Sequence, residues 1–323
     1  MRTLSWPFLA VADDQGGDLP YVLLQGPVET VYQASTLAAL RRSFTLIGGT
    51  GLAEFPRLRP TRDRTDYAGL CSGWCHCFRD PDRYLPPGAL RALISHSDFI
   101  DPALVAPARM CGDGPMQADF DFVYVCLPGH WQALTKNLSL ASACIRILTG
   151  RLGLRGLMVG RAPPGELADC ARLESVRELP WRELMKVLGR SRFLFVPNVR
   201  DASPRLLAEA LCMNTPVLVN RNILGGWKYV NAFTGAFFTG EQDLAPASEA
   251  CLGRAKRPRA WFSSHYGPFR AGEKLAAFLR QVSPGDAGLA RLRFALLTDR
   301  APEAVRSALD SLSHPTIRHC PAK

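Results

Sequence analysis

Between residues 119 and 240, short apolar runs alternate with stretches of helical spacing, and this alternation limits the fold more than any other feature of the chain. The runs at 120–127 (FDFVYVCL), 154–159 (LRGLMV), 173–176, 193–196 (FLFV), 217–220 (VLVN) and 236–239 have the length of strands. Runs such as FLFV and VLVN are near-continuously apolar, so both faces of such strands need cover. The intervening segments can supply it. Residues 131–149 predict one helix, with Leu134, Leu138, Ala141, Cys144, Ile145 and Leu148 on a single stripe. Residues 180–188 and 204–213 predict two more, the first opened by a proline suited to a helix start. Strands alternating with helices predict parallel βαβ units in a doubly wound α/β sheet. Ligands in such sheets bind outside the carboxyl ends of the strands.

The flanking regions are less regular. Residues 21–25 (YVLLQ) and 44–47 predict strands, the second stopped by Gly48 and Gly49, with a helix over 28–42 between them. Residues 55–88 are rich in Pro, Arg and Asp and predict a long irregular connection, followed by a short strand over 89–95. That leaves three strands in residues 1–118, with no G-x-G-x-x-G among them. Beyond 240 the pattern is mixed helix. Residues 267–282 place Leu275, Ala276, Phe278 and Leu279 on a buried stripe, and 291–298 with 302–312 predict one more strand and helix.

The composition excludes several classes. A chain of 323 residues, 47% hydrophobic and 21% charged, is neither disordered nor fibrous. No apolar run of about 18 residues is present. The opening MRTLSWPFLAVADD lacks a charged-then-apolar leader, so no signal peptide is expected. The net charge of +10 comes from scattered Arg, densest at 57–64 and 254–259. It suits an anionic small molecule or weak nucleic-acid contact and settles neither, and no interleaved aromatic and basic motif points to specific nucleic-acid binding. Ten Cys stand at irregular positions, mostly in apolar segments, as reduced thiols do in a cytoplasmic protein. Cys71, Cys75, His76 and Cys77 make one cluster, but the C-x3-C-H-C spacing departs from zinc sites. They read as free thiols, with a metal or redox site as the alternative.

The segment 197–209 (PNVRDASPRLLAE) carries the chemistry. It reads as a strand end, a loop and a helix start, with Ser203 as N-cap and Pro204 as first helical residue. The free N–H groups of Ser203, Arg205 and Leu206, at the positive end of the helix dipole, would suit a phosphate. Glu209, on the second turn, can accept from a pair of sugar hydroxyls.

This segment resembles the donor-binding signature of the retaining GT-B glycosyltransferases that use nucleotide-diphospho-sugars: a carboxylate, seven residues, then a Glu. Here it reads Asp201-x7-Glu209, followed by ALCMNTPVLVN. The resemblance implies that Asp201 contacts the transferred sugar as the catalytic carboxylate. It implies that Ala202, Ser203, Arg205 and Leu206 at the loop–helix junction hold the diphosphate, and that Glu209 holds the ribose. Family members carry a basic residue after the first strand of this domain; Lys136 is the better match and His130 the weaker. The Arg that commonly precedes that Lys has no counterpart in 128–135, and Arg161 is a substitute. The turn around Glu178–Trp181 would lie near the base, and Gly225–Gly226 would allow close backbone approach to a ligand.

The resemblance covers residues 119–240 and implies two Rossmann-like domains, the N-terminal one reduced. The expected division is 1–118 for the acceptor side, 119–283 for the nucleotide-sugar domain and 284–323 as an extension. The implied activity is metal-independent, retaining transfer of a sugar from a nucleotide-diphospho-sugar, with that donor as substrate and no cofactor. No Asp-x-Asp pair stands in the right place for a metal. The acceptor (sugar, lipid or protein) is open, as is peripheral membrane contact. The alternative is a catalytically degenerate nucleotide-sugar-binding protein acting through partners.

Overall fold

The computed structural model describes residues 3–57, 65–105, 118–253 and 256–311. Most of the Arg-rich stretch 57–64 and the first two residues of 254–259 therefore lie outside the described residues. In chain order the strands and helices are β1 (Phe8–Ala12), β2 (Asp18–Leu24), α1 (Val31–Leu40), β3 (Thr45–Gly49), α2 (Tyr67–Leu70), β4 (Trp74–Cys75) and β5 (Arg91–Ala92). These are followed by β6 (Phe120–Val125), α3 (His130–Thr135), α4 (Leu138–Arg146), β7 (Gly156–Val159), β8 (Leu173–Val176), α5 (Trp181–Gly189) and β9 (Ser191–Val196). The chain ends with α6 (Arg205–Cys212), β10 (Val217–Asn220), β11 (Gly235–Phe238), α7 (Leu244–Cys251), α8 (Pro258–His265), α9 (Pro268–Val282), α10 (Ala287–Arg291), β12 (Leu296–Thr298) and α11 (Glu303–Ser311).

The strands form two sheets of six, β12-β1-β2-β3-β4-β5 and β11-β10-β9-β6-β7-β8. The residues gather into two compact units, one of 1–76, 80–94 and 272–323, the other of 77–79 and 95–271. The described residues 95–105 thus pack with the second sheet, and 272–311 with the first.

In the second unit every strand pairing is parallel. Alternate residues of its strands serve two cores. Val123, Leu157, Leu194, Val196, Val217 and Val219 pack with Met185 of α5, Leu207 and Leu211 of α6 and Phe262 of α8. Phe122, Tyr124, Met158, Phe193, Phe195 and Leu218 pack on the other face with Cys144 and Ile145 of α4 and Leu244 of α7. Burial on both faces is what FLFV and VLVN demand.

The helix expected over 131–149 is instead two, α3 and α4, followed by a π-helical turn at Ile147–Arg151. Asn137 breaks it, adopting the left-handed conformation at φ 52°, ψ 55°. Asn tolerates that region better than most residues, and its Nδ2 donates to the Pro197 carbonyl at 3.2 Å.

The first unit holds more strands than its sequence suggests. Its sheet opens with a β1–β2 hairpin, whose turn is closed by the Asp13 carboxylate accepting from the N–H groups of Gln15 and Gly17. The next strands, β2 to β5, are parallel. The strand expected over 89–95 contracts to Arg91–Ala92, and that over 291–298 to Leu296–Thr298 behind the short helix α10. β12 pairs antiparallel with β1, Val11 opposite Leu297. The first and last strands of the chain are therefore neighbours.

Among the described residues Cys71, Cys126, Cys144, Cys170, Cys212 and Cys251 are free thiols. Burial pushes the Cys71 thiol up to about 12, so it is held as a protonated packing group.

Candidate functional site

The site is assembled at the carboxyl ends of β6, β7 and β9. β9 ends at Val196, and the loop 197–204 leads into α6. That loop is backed by the segment following β10. The N–H groups of Leu224 and Gly225 donate to the Val199 and Asp201 carbonyls, each at 2.9 Å. Gly225 is required here: a Cβ on it would stand 1.8 Å from the Ala202 carbonyl oxygen.

The break at Asn137 delivers Lys136 to this loop. Lys136 caps the end of α3, and its carbonyl accepts from the Tyr124 hydroxyl of β6 at 3.1 Å. Its Nζ donates to Asp201 Oδ2 at 2.9 Å. Asn198 Nδ2 donates to the same oxygen at 2.9 Å. The pair is largely shielded, with side-chain exposures of 23% for Lys136 and 13% for Asp201. An ammonium has three donors and an ionised carboxylate two acceptor oxygens. Both residues therefore retain unspent capacity for a ligand. A small cavity behind them, about 20 Å³, is lined by residues including Val125, Asn198, Pro204 and Leu207. It has the size of one water, so a nucleotide would have to lie outside it.

Ser203 behaves differently from expectation. It does not cap α6: the N-cap position is Pro204, without a side-chain cap, and α6 begins at Arg205. The Pro204 carbonyl accepts from the Leu207 N–H at 3.1 Å. Arg205 and Leu206, in the first helical turn, have no intrahelical acceptor for their N–H groups. The Ser203 side chain turns away to a buried polar chain that sequence reasoning missed. Its Oγ accepts from the Ser97 N–H at 2.9 Å and donates to Ser97 Oγ at 3.2 Å.

Ser97 Oγ is 2.9 Å from the Tyr229 hydroxyl, which donates to Asp98 Oδ1. Tyr229 has one proton to give, so Ser97 is the donor of that pair. Asp98 Oδ2 accepts from Lys228 Nζ at 2.6 Å and the Ser95 N–H at 2.9 Å. The Lys228 and Asp98 side chains are 5% and 2% exposed. Tyr229 is fully buried, and burial with the adjacent Asp98 holds its pKa well above the ordinary phenol. Tyr229 is thus a core residue, as its type suggests, and Trp227 is half-buried with its indole N–H on the Cys77 carbonyl at 2.8 Å.

Glu209 lies on the second turn of α6, 6% exposed. Its Oε1 accepts from the Trp181 indole N–H at 3.1 Å. Trp181 opens α5 and is 46% exposed. The turn Glu178–Trp181 thus meets Glu209 through the Trp181 side chain.

Arg161 follows β7. Its Nη1 lies 3.9 Å from Cys126 Sγ, and its buried Nε has no hydrogen-bond partner among the described residues. An orphaned guanidinium N–H is costly to bury, and an anion could satisfy it. His96, in the 3₁₀ turn His96–Phe99, has its pKa lowered by burial and by Arg205. It therefore favours the neutral ring beside the first turn of α6. His130 is exposed at the start of α3. Asp201, Lys136, Ala202, Ser203, Arg205, Leu206 and Glu209 thus share one strand–loop–helix junction, with Arg161 two strands along the same sheet edge.

No protein-family model matches this sequence, and neither does any curated protein. Solved structures do. A glycosyltransferase from Rickettsia africae superposes with a TM-score of 0.57 at 11% identity, covering 82% of this chain and 77% of that one. The lipopolysaccharide outer core galactosyltransferase WaaB gives 0.55 at 11%, covering 81% and 75%. HepE from Anabaena, solved in complex with UDP-glucose, gives 0.53 at 13%, covering 78% and 76%.

The chain has the GT-B glycosyltransferase fold. Its two six-stranded α/β units correspond to the two Rossmann-like domains of that fold. The named residues of the β9–α6 junction all belong to one unit. Among the described residues no helix is long and apolar enough to cross a membrane.

Proposed function

We propose that the protein is a glycosyltransferase that takes its sugar from a nucleotide-diphospho-sugar, without a metal and with retention at the transferred carbon. The observation that carries this reading is the meeting of Lys136 and Asp201 beside the unpaired first-turn N–H groups of α6. A diphosphate leaving group accumulates negative charge as the glycosidic bond breaks. Fixed donors aimed at that charge stabilise the transition state without reorganising. The Arg205 and Leu206 N–H groups, the remaining Lys136 protons and the Arg161 guanidinium supply such donors, and this positive charge does the work a metal does elsewhere. Asp201, held by Lys136 and Asn198, keeps an oxygen for the transferred sugar. Glu209 would take the ribose hydroxyls, sharing its carboxylate with Trp181. That two of the superposed proteins are named as sugar transferases and one was solved with UDP-glucose supports the same donor class. Buried free thiols support a reducing, cytoplasmic setting.

The test is titration of the purified protein with UDP and GDP, and donor hydrolysis with UDP- and GDP-sugars, comparing wild type with Glu209→Ala. The variant is expected to bind the matching nucleotide at least tenfold more weakly, a change of about 1.4 kcal/mol. Equal binding and turnover in both proteins would remove Glu209 and its junction from the donor site.

A further inference from the structure

A second group of cations lies along the same sheet, outside the junction just described. Arg221 follows β10 directly and extends over the ring of Phe237 on β11, with its guanidinium carbon 5.3 Å from the ring centroid. Arg79 reaches the same ring at 5.2 Å and also stacks on Trp227 at 5.2 Å. The Trp227 indole is fixed by the Cys77 carbonyl, so the strand end and the segment carrying Arg79 are tied together. Both arginines are exposed, while Phe237 and Trp227 are half-buried. Among the described residues, no carboxylate bonds to either guanidinium. Arg79 has its pKa lowered by burial and by the charge of Arg221.

This arrangement is unbalanced. Two like charges are held near one aromatic ring, and among the described residues no carboxylate is bonded to them. Stacking occupies the flat faces of a guanidinium and leaves its N–H edge unspent, with donors in a rigid fork. A carboxylate, with two oxygens, satisfies one such fork, whereas a phosphate group has oxygens for two. The position, at the carboxyl end of β10, is where α/β sheets receive ligands.

We infer that Arg79 and Arg221 form a second anion site that takes a terminal phosphate group, separate from the diphosphate site at the α6 junction. The phosphate could be carried by a soluble phosphomonoester or by a lipid headgroup, and the two sources present the same oxygens to the same forks.

The site is tested on the full chain by calorimetric titration with inorganic phosphate and with glycerol 3-phosphate. Arg79→Gln and Arg221→Gln are each expected to weaken both ligands at least tenfold while leaving the melting temperature and UDP affinity of the wild type. Arg221→Lys, which keeps the charge but not the fork, is expected to stay weakened. Lys136→Met is expected to lower UDP affinity and leave the glycerol 3-phosphate titration unchanged, so failure of the donor-site reading and failure of this one are separable. Cosedimentation with phosphatidic acid vesicles, absent with phosphatidylcholine and lost in Arg221→Gln, would assign the phosphate to a lipid. Glycerol 3-phosphate binding without cosedimentation would assign it to a soluble ligand. Absence of both, equal binding by wild type and the two Gln variants, or loss of binding in Lys136→Met alone overturns the inference.

Discussion

The residues at the α6 junction are set by pairings rather than by exposure alone. Lys136 spends one donor on Asp201, and that bond sits in a partly shielded place where charge is less screened than at the surface. Removing the ammonium by Lys136→Met is expected to raise the dissociation constant for UDP about tenfold, since a charge-assisted bond to a phosphate is lost. Asp201→Asn should leave nucleotide affinity near wild type and lower kcat for donor hydrolysis, because the proposed reading gives the carboxylate to the sugar rather than to the diphosphate. Calorimetry and steady-state kinetics on the two variants check this split. The buried chain behind Ser203 is a stability feature. Tyr229→Phe leaves Asp98 Oδ1 without its donor and takes an acceptor from the Ser97 hydroxyl, at an expected cost of about 1–3 kcal/mol in urea unfolding. Lys228→Met leaves a 2%-exposed carboxylate unpaired and is expected to cost more, about 3–5 kcal/mol. If the order of these two were reversed, the ion pair would not be the anchor of the chain.

Elements show what local sequence can and cannot specify. FLFV and VLVN announced buried strands because apolar residues on both faces leave few other environments, and β9 and β10 contain them. The Asp201-x7-Glu209 spacing was legible because loop and helix lengths are local. The two-residue strands β4 and β5 were not, since two residues carry no periodicity. Nor was the break at Asn137, where a tertiary bond to Pro197 overrides a continuous apolar stripe. The bonds of Trp181 and Ser97 were missed for the same reason, since their partners are 28 and 106 residues away. The 3₁₀ turn holding Ser97 also carries His96, whose lowered pKa gives a pH signature. An unfolded chain binds a proton at His96 below its ordinary value of 6.5, while the folded protein resists it. Stability from this group is therefore complete above that value and declines as pH falls through and below it, because the unfolded state then holds more protons. In urea titrations across pH 5–8 (a range about that of ordinary histidine switching), the stability difference between wild type and His96→Gln should shift against wild type on acidification. The Arg205→Gln background should reduce the shift, since part of it comes from the Arg205 charge. A difference that is flat with pH would show that His96 is not held neutral by its surroundings.

At the scale of the molecule, one edge of the first sheet is laid down by β12, far along the sequence from the strand it covers. β12 pairs with β1 across more than 280 residues of sequence, through Ala10 with Thr298, Val11 with Leu297 and Ala12 with Leu296. Arg300 reinforces the closure by an ion pair to Asp18 at 2.8 Å. Behind the strand, Val305 and Leu309 of α11 are each 2% exposed. No local pattern announces such a pairing, which is why 291–312 reads in sequence as a detached strand and helix. Without β12, β1 would present an unpaired row of N–H and C=O groups, and an open edge of that kind recruits other strands. A chain ended after residue 283 is therefore expected to lose both the edge strand and the cover of α11, to bind a hydrophobic dye, and to aggregate at temperatures where the full chain is soluble. The ion pair itself is partly exposed, so Arg300→Gln should change stability by less than about 1 kcal/mol. A point substitution within the strand tests the closure without deletion. Leu297→Pro fixes the backbone dihedral at the centre of β12 and replaces its side chain. It is expected to lower the melting temperature of the full chain and reproduce the dye binding. If Leu297→Pro and the truncation both melt as the intact protein does, the closing strand contributes nothing to the first sheet, and the edge is protected by β1 alone.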